Sequence, residues 1–154
     1  MIRTAKKEEI NEINVIRKQV NDLHANGEPT LFKSGFSKEL QDHINNFFDT
    51  ENKWVLVCKD EGKICGYVML EIITKPETPY RYEQSFLEVN ELGALNKYQG
   101  KGYGKLLMQK VKEIAQEKNI NRIELDAWNF NEKALNFYKK LGFETYREYL
   151  RFKI

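Results

Sequence analysis

The stretch NKYQGKGYGKLL, residues 96–107, sets Gly100, Gly102 and Gly104 within five positions, directly ahead of an apolar, lysine-rich helical pattern. From Tyr103 to about Lys118, Leu106, Leu107, Met108, Val111, Ile114 and Ala115 form one stripe, and Lys105, Lys110, Lys112, Glu113 and Glu117 take the other face. Before the glycines, SFLEVNELGAL reads as a strand. A strand that turns through glycines into a helix presents several backbone N–H groups at the helix start. The dipole adds partial positive charge there, so the turn suits phosphate oxygens. A side chain at 100, 102 or 104 would block such a ligand or forbid the angles that aim the N–H groups inward. Two other nucleotide patterns fail. A dinucleotide fingerprint read from Gly100 needs glycine where Lys105 stands, and a P-loop ending in Gly104-Lys105 needs glycine at Gln99 and a hydroxyl at Leu106.

Working outward, IRTA makes a short first strand, and Thr4 is placed to cap a helix over about 6 to 25 on which Ile10, Ile13, Ile16, Val20 and Leu23 recur at helical spacing. A shorter helix follows Ser37, carrying Leu40, Ile44, Phe47 and Phe48. KWVLVCK, the turn DEGK and ICGYVMLEII form a hairpin, and TKPETPYRYEQ, with two of the three prolines, is an exposed loop. After the long helix, NRIELDAW is a strand, and NEKALNFYKKL is a helix ended by Gly142. FETYREYLRFKI closes the chain with one or two strands. The fold class is therefore α/β (α+β), with the order β-α-α-β-β-β-α-β-α-β-β.

The 154 residues fit a single domain, 1–154, large enough to bury a core without disulfides. A formal charge of +2, with 25 basic residues spread among 23 acidic ones, argues for no nucleic acid and no membrane as main partner. MIRTAKKEEI lacks an apolar leader core, so a cytoplasmic protein is expected. Cys58 and Cys65 flank the hairpin turn, opposite one another by simple counting, and are read as buried free thiols. His24 and His43 give no metal-ligand spacing, so no metal is expected.

QGKGYG resembles the [Gln/Arg]-x-x-Gly-x-[Gly/Ala] signature of the Gcn5-related N-acetyltransferases (GNAT) through Gln99, Gly102 and Gly104. A second block, NFNEKALNFYKKLGF at 129–143, resembles that family's Asn-x-x-Ala-x-x-x-Tyr-x-x-x-Gly-Phe segment through Asn131, Ala134, Tyr138, Gly142 and Phe143. The resemblance implies a mixed, mostly antiparallel central sheet of six to seven strands with helices on both faces. It also implies acetyl-CoA as cosubstrate and direct attack by a primary amine. Gln99 stands where arginine is commonest, which removes a fixed charge near the pyrophosphate and keeps a donor.

Roles follow from the same resemblance. Backbone N–H groups of Gln99, Gly100, Lys101, Gly102, Tyr103 and Gly104 would hold the pyrophosphate. The main chain of Leu92, Gly93 and Ala94 would pair with the pantetheine arm, Asn131 would reach the coenzyme, and Tyr138 would protonate the departing thiolate. An alkyl amine is neutral in only about one molecule per thousand at pH 7, so a base helps. Glu88 is preferred by its distance from Gln99; a bulge in the strand would favour Glu91, and water or Asn90 could relay the proton. The acceptor is a small-molecule amine or a peptide or protein amine, recognised by 24–37 and by the 74–84 loop. Hydrophobic edge strands near 143–153 allow a homodimer. The rival reading is a catalytically inactive acyl-CoA-binding sensor of the same fold.

Overall fold

The computed structural model describes residues 1–154. Its sheet has five strands in the order β1 (Ile2–Thr4), β2 (Lys53–Asp60), β3 (Lys63–Lys75), β4 (Gln84–Ala94) and β5 (Ile123–Glu124). The first four are antiparallel neighbours, and β5 lies parallel to β4. The turn between β2 and β3 uses Glu61 and Gly62 with φ of 47° and 79°, the pair of positive values that matches the natural twist of a two-residue hairpin.

Side chains alternate across these strands and feed two apolar layers. On one face Leu56, Val68, Leu70, Leu87 and Val89 pack against Leu107, Met108 and Val111 of α3 (Tyr103–Glu117), with Phe137 and Leu141 of the α4 region (Glu132–Lys140) at the margin. On the other, Val55, Val57, Tyr67 and Met69 meet Ile13 and Ile16 of α1 (Ile10–Gly27). Ile44 and Phe47, from the 3₁₀ turn that continues α2 (Lys38–Asp42), complete that layer. Each such aliphatic side chain contributes roughly 1.5–3 kcal/mol by leaving water. No helix is long and apolar enough to cross a membrane.

Several local expectations change for tertiary reasons. Thr4 caps no helix, because its backbone is pinned in β1 opposite Leu56. Glu9 does that work: its carboxylate accepts the Lys6 N–H at 2.9 Å and ion-pairs with Arg3 at 2.6 Å and Lys59 at 2.8 Å. Ser37 does cap α2, its Oγ accepting the Leu40 N–H. Register counting around the hairpin fails by one residue: Cys58 lies opposite Gly66, with the irregularity falling at Cys65. The two thiols are nonetheless free, buried in one layer with Sγ atoms 2.7 Å apart. Burial, then Cys65, pushes the Cys58 thiol up to about 12.

The expected six to seven strands are five. Residues 143–154 form none, and beyond the Phe143 N–H, which bonds to the Tyr138 carbonyl, their main chain makes no backbone hydrogen bond. β-Branched and aromatic composition favours a strand only where a neighbouring strand supplies the ladder, and one chain supplies none here.

Candidate active site

The site originates in the unequal treatment of β4. Towards β3 it is paired from Gln84 opposite Lys75 to Ala94 opposite Gly66. Towards β5 it is paired only at Leu87–Ile123 and Glu88–Glu124. Beyond those pairs Val89–Ala94 and 125–128 face each other across a cleft of about 1100 Å³ that continues along the glycine turn to α4.

A bulge at Asn90 decides what this strand shows to the cleft. Met69 lies opposite Glu91 and the next residue, Leu70, opposite Val89, so Asn90 is the extra residue. Leu87 and Val89 face the α3 layer, which puts Glu88 on the α1 side. Glu91 returns to that same side, where it meets Arg17 and Tyr67. Glu91 lines the cleft and Glu88 does not. Glu88 lies opposite Glu71, and its carboxyl is raised by burial and by Asp126, Glu71 and Glu124.

Glu91 is tightly framed. Arg17 donates to it from Nε at 2.9 Å and Nη2 at 3.1 Å, and the Tyr67 hydroxyl donates at 2.9 Å. The Arg17 side chain is 1% exposed and that of Glu91 26%. With three bonds already accepted, little lone-pair capacity remains on this carboxylate. Its outward effect is a fixed negative charge at the cleft wall. Burial, then the charge of Glu91, raises the Tyr67 phenol well above its ordinary value, so it stays a donor.

At the other end, Gly102 is the residue before α3, with φ of 91°, a left-handed value costly for any side chain. It brings no capping side chain, and the first helical bond runs from the Leu106 N–H to the Gly102 carbonyl. The N–H groups of Tyr103, Gly104 and Lys105 therefore precede the ladder, on residues that line the cleft. A Cβ on Gly104 would lie 3.0 Å from Cζ of Phe137, so this glycine lets α4 approach the turn.

Of the residues singled out in the sequence, Glu91, Leu92, Gly93, Ala94, Gln99, Gly100, Gly102, Tyr103, Gly104, Asn131 and Tyr138 line this one cleft. Lys101 stands outside it, its ammonium 5.2 Å above the Tyr98 ring. Gln99 spends its amide on the turn itself, with Nε2 donating to the Ala94 carbonyl and to Asn96 Oδ1. Its Oε1 accepts from Lys133 at 2.5 Å. Lys133 thus brings to the turn the cation that Gln99 lacks, a role with no signature in sequence because it sits 34 residues away. Asn131 caps α4, accepting the Ala134 N–H at 3.2 Å. Tyr138 packs edge-on against Phe137 and Phe143, and burial pushes its phenol up to about 12.

Sequence reasoning weighed His24 only as a metal ligand and as the first residue of the 24–37 acceptor segment. It lines the cleft near Glu91, stacks on Phe32 at 5.1 Å and meets Phe130 edge-on. Phe32 in turn meets Trp128 at 4.9 Å, so the two lining residues of this aromatic cluster, His24 and Trp128, are held through it. Burial lowers the imidazole below its ordinary value, Glu91 partly opposing, so it is neutral at pH 7. A histidine 67 positions from its carboxylate neighbour offers no local pattern to read.

A family-wide sequence model described as the Acetyltransferase (GNAT) family matches residues 18–143. Among curated relatives, the 5-NmdU N-acetyltransferase of Pseudomonas phage PaMx11 is 28% identical over 88% of this chain and 91% of its own length. An uncharacterized N-acetyltransferase of Lactobacillus delbrueckii subsp. lactis is 24% identical over 71% of this chain. The L-ornithine N5-acetyltransferase of Arabidopsis thaliana is 27% identical over 56% of it. The matches span 62% and 36% of those two longer proteins. Among solved structures, a tetramutant of the BH1408 protein of Bacillus halodurans superposes with a TM-score of 0.95 at 24% identity over 100% of this chain and 99% of that one. The aminoglycoside acetyltransferase AAC(6')-Iy, in complex with a CoA-containing bisubstrate analog, superposes at 0.78 with 14% identity over 100% and 97%.

Proposed function

The chain belongs to the acetyltransferase (GNAT) family, and from that premise we propose that residues 1–154 work as one N-acetyltransferase domain, passing the acetyl group of acetyl-CoA directly to a primary amine. The observation that carries this reading is the divergence of β5 from β4 over a glycine turn, with Tyr138 on the same cleft. The coenzyme fits the residues present: the uncapped N–H groups at the start of α3 and the Lys133 ammonium suit a diphosphate, and the unpaired flank of β4 suits an amide-bearing arm.

Acetyl-CoA supplies an activated carbonyl on a thiol leaving group. The chain's own residues do the rest. Tyr138, protonated across the neutral range, holds a proton for the sulfur, whose ordinary value near 8.5 makes that proton useful. Glu91 holds the incoming ammonium by charge. The neutral His24 imidazole takes the ammonium's proton, directly or through water, and releases it to solvent. Glu88, behind the bulge, is not assigned that proton.

For the acceptor we favour a small amine. Three of the five similar proteins named above carry an acceptor in their names, and Trp128 on the same cleft lining as Glu91 suits a compact cation. The test combines a thermal shift with an amine panel read by thiol release. Acetyl-CoA at about a hundred times its dissociation constant is expected to add about 2.7 kcal/mol of stability, with thiol release on at least one small amine. No shift with either acetyl-CoA or CoA removes the reading; a shift without turnover on any amine or peptide leaves a binding module and removes the enzyme.

A further inference from the structure

One face of α1 carries a polar stripe, Asn14, Arg17, Asn21 and His24, spaced three, four and three positions apart. Its first three members hold the segment 33–41 against the helix. Asn14 Nδ2 donates to the Gln41 carbonyl at 3.3 Å, Arg17 Nη1 to that of Leu40 at 2.9 Å, and Asn21 Nδ2 to that of Gly35 at 2.7 Å. The Gln41 amide in turn donates to the Phe36 carbonyl at 2.9 Å. His24, the fourth member, makes no hydrogen bond and stacks on Phe32. Between stripe and segment lies a chamber of about 80 Å³ whose apolar walls are Val20, Phe36 and Leu40. It joins the large cleft at Val20, His24 and Glu91, which line both.

Charge is presented unequally on the two sides of that junction. Inside the chamber Arg17 and Glu91 stand together and offset one another, and the guanidinium spends its donors on Glu91, Asn14 and Leu40. On the cleft side Glu91 is presented without Arg17. An ammonium is therefore favoured at the mouth, while a second charge further in would meet no free counter-ion. Volume adds a limit of shape. An apolar cavity of about 150 Å³ admits benzene. At roughly half that size, this chamber takes a chain of about three or four methylenes and excludes a ring. Resting on the acetyl-transfer reading above, we propose that the acceptor is the end of an unbranched alkylamine, its nitrogen at the mouth between His24 and Glu91 and its first carbons, uncharged and unbranched, in the chamber against Phe36 and Leu40. Phe36 and Leu40 then set the length and shape of the chain, and Arg17 is the positioning residue that fixes the wall carrying them.

Thiol release from acetyl-CoA with ethylamine, n-propylamine, n-butylamine, n-hexylamine, sec-butylamine and cyclohexylmethylamine tests this, alongside the thermal shift with acetyl-CoA, on wild type, Leu40→Trp and Leu40→Ala. In wild type, kcat/KM is expected to rise by on the order of tenfold per methylene from ethylamine to n-butylamine. The branched and ring-bearing amines should fall below n-butylamine by on the order of tenfold or more. Leu40→Trp fills the chamber and should cost n-butylamine a similar factor with the acetyl-CoA shift kept. Leu40→Ala enlarges it and should move the best chain towards n-hexylamine; Leu40 is half-buried on a short helix, so this second variant carries the test if the first does not fold. Equal turnover of straight, branched and ring-bearing amines overturns the proposal and leaves acetyl transfer standing. So does turnover confined to amines other than the straight chains, or a preference that neither Leu40 variant moves. No acetyl-CoA shift in wild type, or no turnover with any amine, ends the acetyl-transfer reading and this proposal with it.

Discussion

The two flanks of β4 are built from one strand and behave oppositely. Against β3 the ladder runs the length of the strand, and the side chains around it are largely dry. Against β5 it stops after two pairs, and the main chain that would have continued it faces the cleft. The chemistry collects where hydrogen bonding is withheld. A backbone left without a strand partner is a binding surface, provided that the rest of the molecule holds it rigid, and here the closed flank does the holding. Residues of the closed flank should therefore govern stability, and those of the open flank turnover.

The largest effect is expected where the two flanks share a residue. Glu91→Leu leaves the Arg17 guanidinium buried without its counter-ion and should cost about 3–5 kcal/mol in urea unfolding. It should also raise the KM for a cationic acceptor; unchanged stability would show that Arg17 finds other partners. On the open flank, Tyr138→Phe should lower kcat on the order of a hundredfold while leaving acetyl-CoA affinity in place. A comparable loss is expected for His24→Gln, with a distinct signature in the pH profile. Because the folded imidazole lies below its ordinary value, wild-type activity should hold to below about pH 6.5 and fall as His24 gains its proton. In the variant that acid limb should vanish. If either variant turns over normally, the corresponding proton role is lost.

The smallest effect lies away from both flanks of β4, at the β1–β2 edge of the sheet. Glu9 is held below the ordinary carboxylate range, first by Arg3 and then by Lys59 and the Lys6 N–H, with burial opposing. A depressed folded value means that its contribution is present above the unfolded value near 4.3 and is lost as pH falls below it. Glu9→Gln should thus cost about 1.5–3 kcal/mol at pH 7, and progressively less below about pH 4, with kcat unchanged. A variant with altered turnover and normal stability would reverse the comparison.

What the sequence made legible was whatever is settled within a few neighbouring residues. The hairpin turn at Glu61-Gly62, the stripe of α3 and the left-handed Gly102 each follow from local periodicity or backbone preference. Both motif blocks converge on one cleft because each fixes a helix start. The bulge at Asn90 was legible only as a conditional, since its presence depends on how β3 packs against its neighbours. Arg17 and Glu91 are 74 positions apart, and Lys133 and Gln99 are 34; no short pattern announces either pair. The misjudged C-terminal strands show the converse. Composition there favours extension, and a strand is still absent where no partner completes it.

The extra residue in β4 also bears on how such a chain tolerates change. Val89 and Glu91 already face opposite layers across consecutive partners of β3, so losing Asn90 alone would straighten the strand and leave the Glu91 carboxylate opposite Met69, on the surface it holds now. Deleting any paired residue between Gln84 and Val89 would instead shift the strand against β3, so Asn90 should be the position in β4 where the gene best tolerates the loss of a codon.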